Sequence, residues 1–129
     1  MAALEAGDYP LVGAMMKRSH DGDRVAGATI TDAYLDGLAA RDADIALECG
    51  AYGCSTPRID ALCDLLDATP GVLGSELVGA GLGGCVVALV EKSSAEAIID
   101  TLRQRYYAPL GAEPRAFVCN AGPGSTVIW

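Results

Sequence analysis

The sequence predicts an α+β fold, a ferredoxin-like α/β sandwich in which an antiparallel sheet carries helices packed on one face. Three observations predict it. "GVLGSELVG" (71–79) and "CVVALV" (85–90) are strand-length apolar segments on either side of a short glycine loop, and so short a connection makes two strands antiparallel neighbours. The best helical pattern in the chain, "SSAEAIIDTLRQRYYAPLG" (93–111), comes next. "PRAFVCNAG" (114–122) then reads as a last strand. A strand-helix-strand connection is right-handed and lays its helix over one face, the split βαβ arrangement.

The elements follow in chain order. In "GDYPLVGAMMKRSH", Asp8 is placed as an N-cap and Pro10 in the first turn, both helix-start signals. Leu11, Val12, Met15 and Met16 make its apolar face, and Lys17 and Arg18 suit the negative end of the dipole. "DGDRVAG" (21–27) reads as a loop. "TDAYLDGLAARDADIALE" (31–48) holds a weaker helix with Tyr34, Leu35 and Leu38 on one side, and "CGAYGC" is a glycine-punctuated turn. Ser55 or Thr56 then caps a helix that Pro57 starts. Its apolar face is Ile59, Leu62, Cys63, Leu65 and Leu66, and it ends before Pro70. "GVLGSELVG" alternates as a strand does, whereas the unbroken run "CVVALV" suits a strand buried on both faces. In the long helix, Ser93 or Ser94 is the cap, Ala97, Ile98, Thr101, Leu102 and Arg105 recur at helical spacing, and Pro109 with Gly111 is the stop. There is no internal repeat or linker, so the 129 residues read as a single domain.

Composition narrows the function. Hydrophobic residues make up 51% of the chain, but only five Tyr, one Phe and one Trp are aromatic, so the core must be built from Ala, Val, Leu and Ile. Nine basic against 17 acidic residues leave a net charge of -8, which repels nucleic acid and anionic membranes at long range. The longest apolar run is far too short to span a bilayer, and "MAALEAGDYP" has no signal-peptide character, which points to the cytoplasm. Cys49, Cys54, Cys63, Cys85 and Cys119 form no C-x-x-C pair and lie far from the lone His20, so neither a disulfide framework nor a metal site is expected. Asp21, Asp23, Asp32 and Asp36 lack EF-hand spacing and read as solvated charge. His20, in "KRSHDGD", reads as a structural residue near a helix end, and Arg103 and Arg105 as surface charge.

The chemistry concentrates at "GAGLGGC". Gly79, Gly81 and Gly84 satisfy G-x-G-x-x-G, but a dinucleotide site needs a helix to begin there, since the helix N-terminus receives the pyrophosphate. The following CVVALV is β-rich and uncapped, so that reading fails. A Walker loop fails too, because no Gly-Lys-Ser/Thr follows. A plain hairpin would need one or two glycines, and this loop has four within six positions. Such density suits a place where another backbone or a phosphate approaches closely. The spacing alone leaves the plain turn and the phosphate-facing loop both open.

The same residues carry a resemblance. "GVLGSELVGAGLGGCVVALV" resembles the third motif of the GHMP sugar kinases, most of all the galactokinase form, in which a strand runs into G-G-G-F-G-G-C and out into a second strand. The departures are Ala80 and Leu82. "ALEAGDYPLVGAMMKRSHDGDR" is similar to the galactokinase helix "L..GD...FG.LM..SH.SLR". "AYGCSTPRIDALCDLL" is similar to "Y.VSCPELD.LV", with Tyr52, Ser55, Pro57 and Asp60 at matching places. "FVCNAGPGS" is similar to the terminal strand and glycine-rich end of these enzymes. Residues 25–50 look like an insertion relative to ordinary galactokinases.

The resemblance implies a C-terminal domain of an ATP-dependent kinase that phosphorylates a monosaccharide hydroxyl with ATP and Mg2+. It implies that Gly79, Ala80, Gly81, Leu82, Gly83, Gly84 and Cys85 lie beside the nucleotide phosphates, and that Tyr52 and Ser55 are candidate substrate-side residues. Nothing in the chain resembles the family's "P.G.GLSSSA" phosphate loop, its "GR.NLIGEH" motif or its catalytic carboxylate region. No catalytic residue and no metal ligand is therefore assigned, and tight ATP binding by this chain alone is not expected. An N-terminal kinase domain is the expected partner. The surface that would meet it is expected to be apolar, so that the isolated chain self-associates. The competing reading is a non-catalytic ferredoxin-like module that binds a small ligand or dimerises.

Overall fold

A computed structural model describes residues 2–27, 29–120 and 122, the side chain of Ala46 aside. A short helix α1 (Ala2–Glu5) leads into α2 (Tyr9–Asp23). Asp8 Oδ1 accepts the Leu11 N–H at 3.1 Å and Pro10 occupies the first turn, as the sequence predicts. The helix runs past the expected loop start and takes in Asp21, Gly22 and Asp23. Its end is held from outside. Arg24 donates to Asp21 at 3.0 Å and to Asp64 at 2.7 Å, and Val25 N–H donates to Asp60 Oδ2 at 3.3 Å. His20 is 1% exposed with Nε2 3.3 Å from Asp60 Oδ1, a contact without hydrogen-bond alignment. The structural reading of His20 accordingly matches its place.

The weaker helix is shorter than its pattern, α3 (Asp32–Ala40), capped by Thr31. Next comes α4 (Pro57–Asp67), where Thr56 rather than Ser55 caps, its Oγ1 accepting the Ile59 N–H at 3.3 Å. The strands β1 (Val72–Val78) and β2 (Cys85–Val90) pair antiparallel, with Leu77 opposite Val86 and Val78 opposite Cys85, and an irregularity between Val72 and Gly74. The long helical pattern begins as α5 (Ala95–Leu102). It continues as a π turn over Arg103–Tyr107 and a 3-10 turn over Ala108–Leu110, which Gly111 ends in a left-handed conformation. Ser94 holds the N-cap position but makes no side-chain capping bond.

The core lies between the strands and α4 with α5. Ile59, Cys63 and Leu77 form one buried cluster, and Leu66, Ile98 and Leu102 a second, against which Val86, Ala88 and Val90 pack. Each fully buried aliphatic side chain contributes about 1.5–3 kcal/mol. Two expectations change here. On β2, Cys85 and Val87, which alternate with Val86 and Ala88, are exposed and Leu89 is half-buried, so the strand is not buried on both faces along its length despite its apolar run. Residues 113–120 form no strand, although Ala116 packs on the second cluster, so the described sheet has two strands. The residues after 120, apart from Gly122, lie outside the described set.

Helices α4 and α5 cover the face carrying Ser75, Leu77, Val86 and Ala88. Helix α2 meets β1 at Gly74, which alternates with Ser75. The contact is backbone to backbone: a Cβ on Gly13 would fall on the Leu73 carbonyl and 3.0 Å from Gly74 N, and one on Gly74 would fall on the Gly13 carbonyl. This is why a helix with a modest apolar face can seat so closely on the strand. No helix among the described residues is long and apolar enough to cross a membrane.

Candidate functional site

Residues 79–84 form the connection between β1 and β2, and the Val78–Cys85 pair closes its base. The loop contains no charged side chain, so its polar surface is backbone. Leu82 is 85% exposed and sits at φ 61°, a left-handed conformation that costs an L-residue about 1–2 kcal/mol. Ala80, Gly79, Gly84 and Cys85 are also exposed. One hydrogen bond from the loop reaches another segment among the described residues: Leu82 N–H donates to the Cys54 carbonyl at 2.6 Å. At Gly81 the two segments touch. Its φ is +86°, and a Cβ there would overlap the Cys54 carbonyl oxygen and lie 2.7 Å from Cys54 Cβ. Gly81 is thus required twice, by its backbone conformation and by the approach of a second chain segment.

That second segment, residues 50–55, is itself tied to the end of α2. Gly22 O accepts the Tyr52 N–H at 2.7 Å and the Gly53 N–H at 3.2 Å, and Asp23 O accepts the Ser55 N–H at 2.7 Å. The chain therefore leaves α2 near Asp23 and returns beside it near Gly50. The intervening excursion is held by Glu48. Its carboxylate accepts Arg41 at 2.7 Å and the Tyr34 hydroxyl at 3.2 Å, and lies 3.9 Å from Arg18. The Arg41 bond is the largest influence and holds the Glu48 carboxyl below its ordinary value.

The two candidate substrate-side residues separate. Tyr52 is 83% exposed, its ring open to solvent at the rim of a groove of about 480 Å³ whose walls include Val12, Met15, Asp23, Glu48 and Glu76. Ser55 is 5% exposed and faces inward, with an Oγ that makes no hydrogen bond among the described residues. The structure thus brings Tyr52 and the 79–85 loop to one surface region through Cys54, and leaves the Ser55 side chain beneath it.

Two residues that the sequence reading gave no role at the site emerge here, Cys54 and Asp23, the second read from the sequence as solvated charge but half-buried in the fold. Cys54 Sγ–H donates to Asp23 Oδ1 at 3.3 Å. Burial first, and then this bond, raise the Cys54 thiol above its ordinary value, so it acts as a protonated donor rather than a thiolate nucleophile. No local pattern could have found the pair, because its partners lie on opposite sides of the excursion. No cluster of three or more His, Cys, Asp or Glu side chains among the described residues is arranged to hold a metal ion.

Comparison with known proteins gives the family. The family model "GHMP kinases C terminal" matches residues 1–108. A galactokinase of Roseiflexus sp. (strain RS-1) is 36% identical over 123 residues, covering 95% of this chain and 25% of the relative. A galactokinase of Clostridium acetobutylicum is 33% identical over 77 residues, 60% of this chain and 20% of the relative. The chain spans about a quarter of the length of the first of these relatives and about a fifth of the second. The α+β fold, the antiparallel strand pair and the glycine loop between its strands are those of a chain that belongs to the GHMP kinase family, matching its C-terminal domain.

Proposed function

We propose that the chain serves as the C-terminal domain of an ATP-dependent sugar kinase of galactokinase type. In this reading the 79–85 loop borders the nucleotide phosphates and an N-terminal kinase domain supplies the main phosphate cradle. The supporting observation is the loop itself: exposed, uncharged, dense in glycine, and pinned at Leu82 to the Cys54 carbonyl at 2.6 Å. An array of this kind offers an anion backbone N–H donors at fixed positions without adding charge. In phosphoryl transfer a sugar hydroxyl oxygen bonds to the γ-phosphorus and gives up its proton, to a base or water outside the assigned residues, while the bond from the γ-phosphorus to the β–γ bridging oxygen breaks and ADP leaves with that electron pair. Catalysis of this kind is positioning plus charge stabilisation, and this chain's share is positioning. Mg2+ neutralises the phosphate charge when bound. In this reading the cation comes with the nucleotide, and no residue of this chain is assigned to it.

The remaining assignments follow from the same reading. Tyr52, at the rim of the groove, is the substrate-side residue retained; Ser55 supports the segment from beneath. Residues 25–50 are an insertion relative to ordinary galactokinases, rooted where the loop is anchored. The exposed Leu4, Ile45, Tyr52 and Leu82 are candidate contacts for the N-terminal domain, and without it for a second copy of the chain. The site of action is the cytoplasm. A coupled ADP-release assay tests the function: the longer protein carrying this chain turns over with galactose or a related monosaccharide, and this chain alone does not. Turnover by neither with any monosaccharide would refute the kinase reading and favour a non-catalytic module.

A further inference from the structure

The contact that fixes the glycine loop does not originate in the loop. Leu82 N–H is held by the Cys54 carbonyl at 2.6 Å, and Gly81 is pressed against the same peptide. The position of Cys54 therefore sets the position of the loop tip. On the α2 side Asp23 braces Cys54 at two points: Asp23 Oδ1 accepts its Sγ–H at 3.3 Å, and the Asp23 carbonyl accepts the next amide, Ser55 N–H, at 2.7 Å. The Cys54 side chain also packs on the buried Ile59, Cys63 and Leu77, so its rotamer is limited from the core side.

We propose that Asp23 is a positioning residue for the 79–85 loop, acting through Cys54, so that the end of α2 sets where the loop's amides point. The proposal rests on the reading that this loop borders the nucleotide phosphates. Asp23 also forms part of the groove wall and stands at the root of the 25–50 excursion. A ligand in the groove or a shift of the excursion thus reaches the loop through Asp23, its carboxylate acting beside the backbone bonds from Gly22 and Asp23 to residues 52, 53 and 55.

The test is hydrogen exchange at the Leu82 amide of this chain, read against the core amides of Leu77 and Ile98. Asp23→Ala and Cys54→Val each remove the thiol–carboxylate bond, and exchange at Leu82 rises about fivefold while the core amides keep their rates. Asp23→Asn and Cys54→Ser retain an acceptor and a donor, and restore the parent rate. The Asp23→Ala/Cys54→Val double variant exchanges no faster than either single variant, because both remove the same bond. An unchanged Leu82 rate in Asp23→Ala, or a rise shared equally by Leu77 and Ile98, overturns the proposal. In the longer protein, Asp23→Ala is expected to lower kcat/KM for Mg·ATP about fivefold, with Asp23→Asn restoring it. A faster Leu82 amide with unchanged kcat and KM would preserve the coupling and overturn the phosphate-facing reading instead.

Discussion

Replacing Gly81 by alanine is the sharpest perturbation of the loop, because two costs meet at one atom. The φ of +86° at Gly81 penalises any L-residue, by about 1–2 kcal/mol. The new Cβ would also overlap the Cys54 carbonyl oxygen and sit 2.7 Å from Cys54 Cβ. The clash is relieved only if the two segments part, which gives up the 2.6 Å bond from Leu82 to Cys54, worth about 1 kcal/mol. Gly79→Ala separates these terms. Its φ is +97° but nothing lies within 4 Å of the added Cβ, so it carries strain alone. Gly81→Ala is therefore expected to lose about 1 kcal/mol more than Gly79→Ala, a further fall in Tm of about 3–6 °C for a domain of this size. Urea unfolding monitored by circular dichroism measures the difference, and Leu82 amide exchange locates it. Equal losses for the two variants would refute the claim that the loop is clamped against residues 50–55.

Other expectations concern the frame around the site. Gly13→Ala would push a Cβ onto the Leu73 carbonyl, separating α2 from β1; a loss of about 3 kcal/mol in urea unfolding is expected, typical of overpacking at a rigid contact. Ser75, fully buried, donates to Asp67 at 2.9 Å, so Ser75→Ala leaves that acceptor with one partner fewer and is expected to lose about 1–3 kcal/mol by the same measurement. Burial pushes the Cys63 thiol from 9.0 up to about 11. A raised folded-state value stabilises fully below the unfolded value, so stability should fall as pH rises from about 9 through about 11, and Cys63→Val should remove the Cys63 share of that loss, leaving the part that belongs to Cys54, Tyr34 and Tyr106, whose folded-state values are raised as well. Glu48 is held low by Arg41 against an ordinary value of 4.5. Its contribution is present above that value and is lost as pH falls below it, so the protection of amides in residues 31–48, taken relative to the intrinsic exchange rate at each pH, should fall in acid, and in Glu48→Gln at neutral pH.

The legible parts of the fold were those written in local chemistry. Asp8 with Pro10, Thr56 with Pro57, and Pro109 with Gly111 mark real helix ends, because caps and breakers act within a few residues. The strand pair was equally plain, since a short loop leaves one pairing. What failed depended on remote partners. Helix α2 outruns its expected end because Arg24 and Val25 bond to Asp64 and Asp60 on α4. The run CVVALV reads as doubly buried, yet one side of β2 stays open at Cys85 and Val87, a fact of tertiary packing that hydrophobicity does not encode. The apolar 114–119 segment has strand chemistry but forms no ladder among the described residues. At the site, the glycine density pointed to a close approach. Its partner, Cys54, and the Asp23 that holds it belong to segments joined only by folding.

The central claim is that the 79–85 loop lies against nucleotide phosphate in the longer kinase. A crystal structure of that longer protein with Mg2+ and a non-hydrolysable ATP analogue measures it most directly. The account predicts triphosphate oxygens about 3 Å from backbone amides of residues 79–85 where they bond directly, or about 5 Å away where one water bridges them, with Leu82 N–H still on the Cys54 carbonyl. A triphosphate bound elsewhere, with the loop facing solvent, would contradict it.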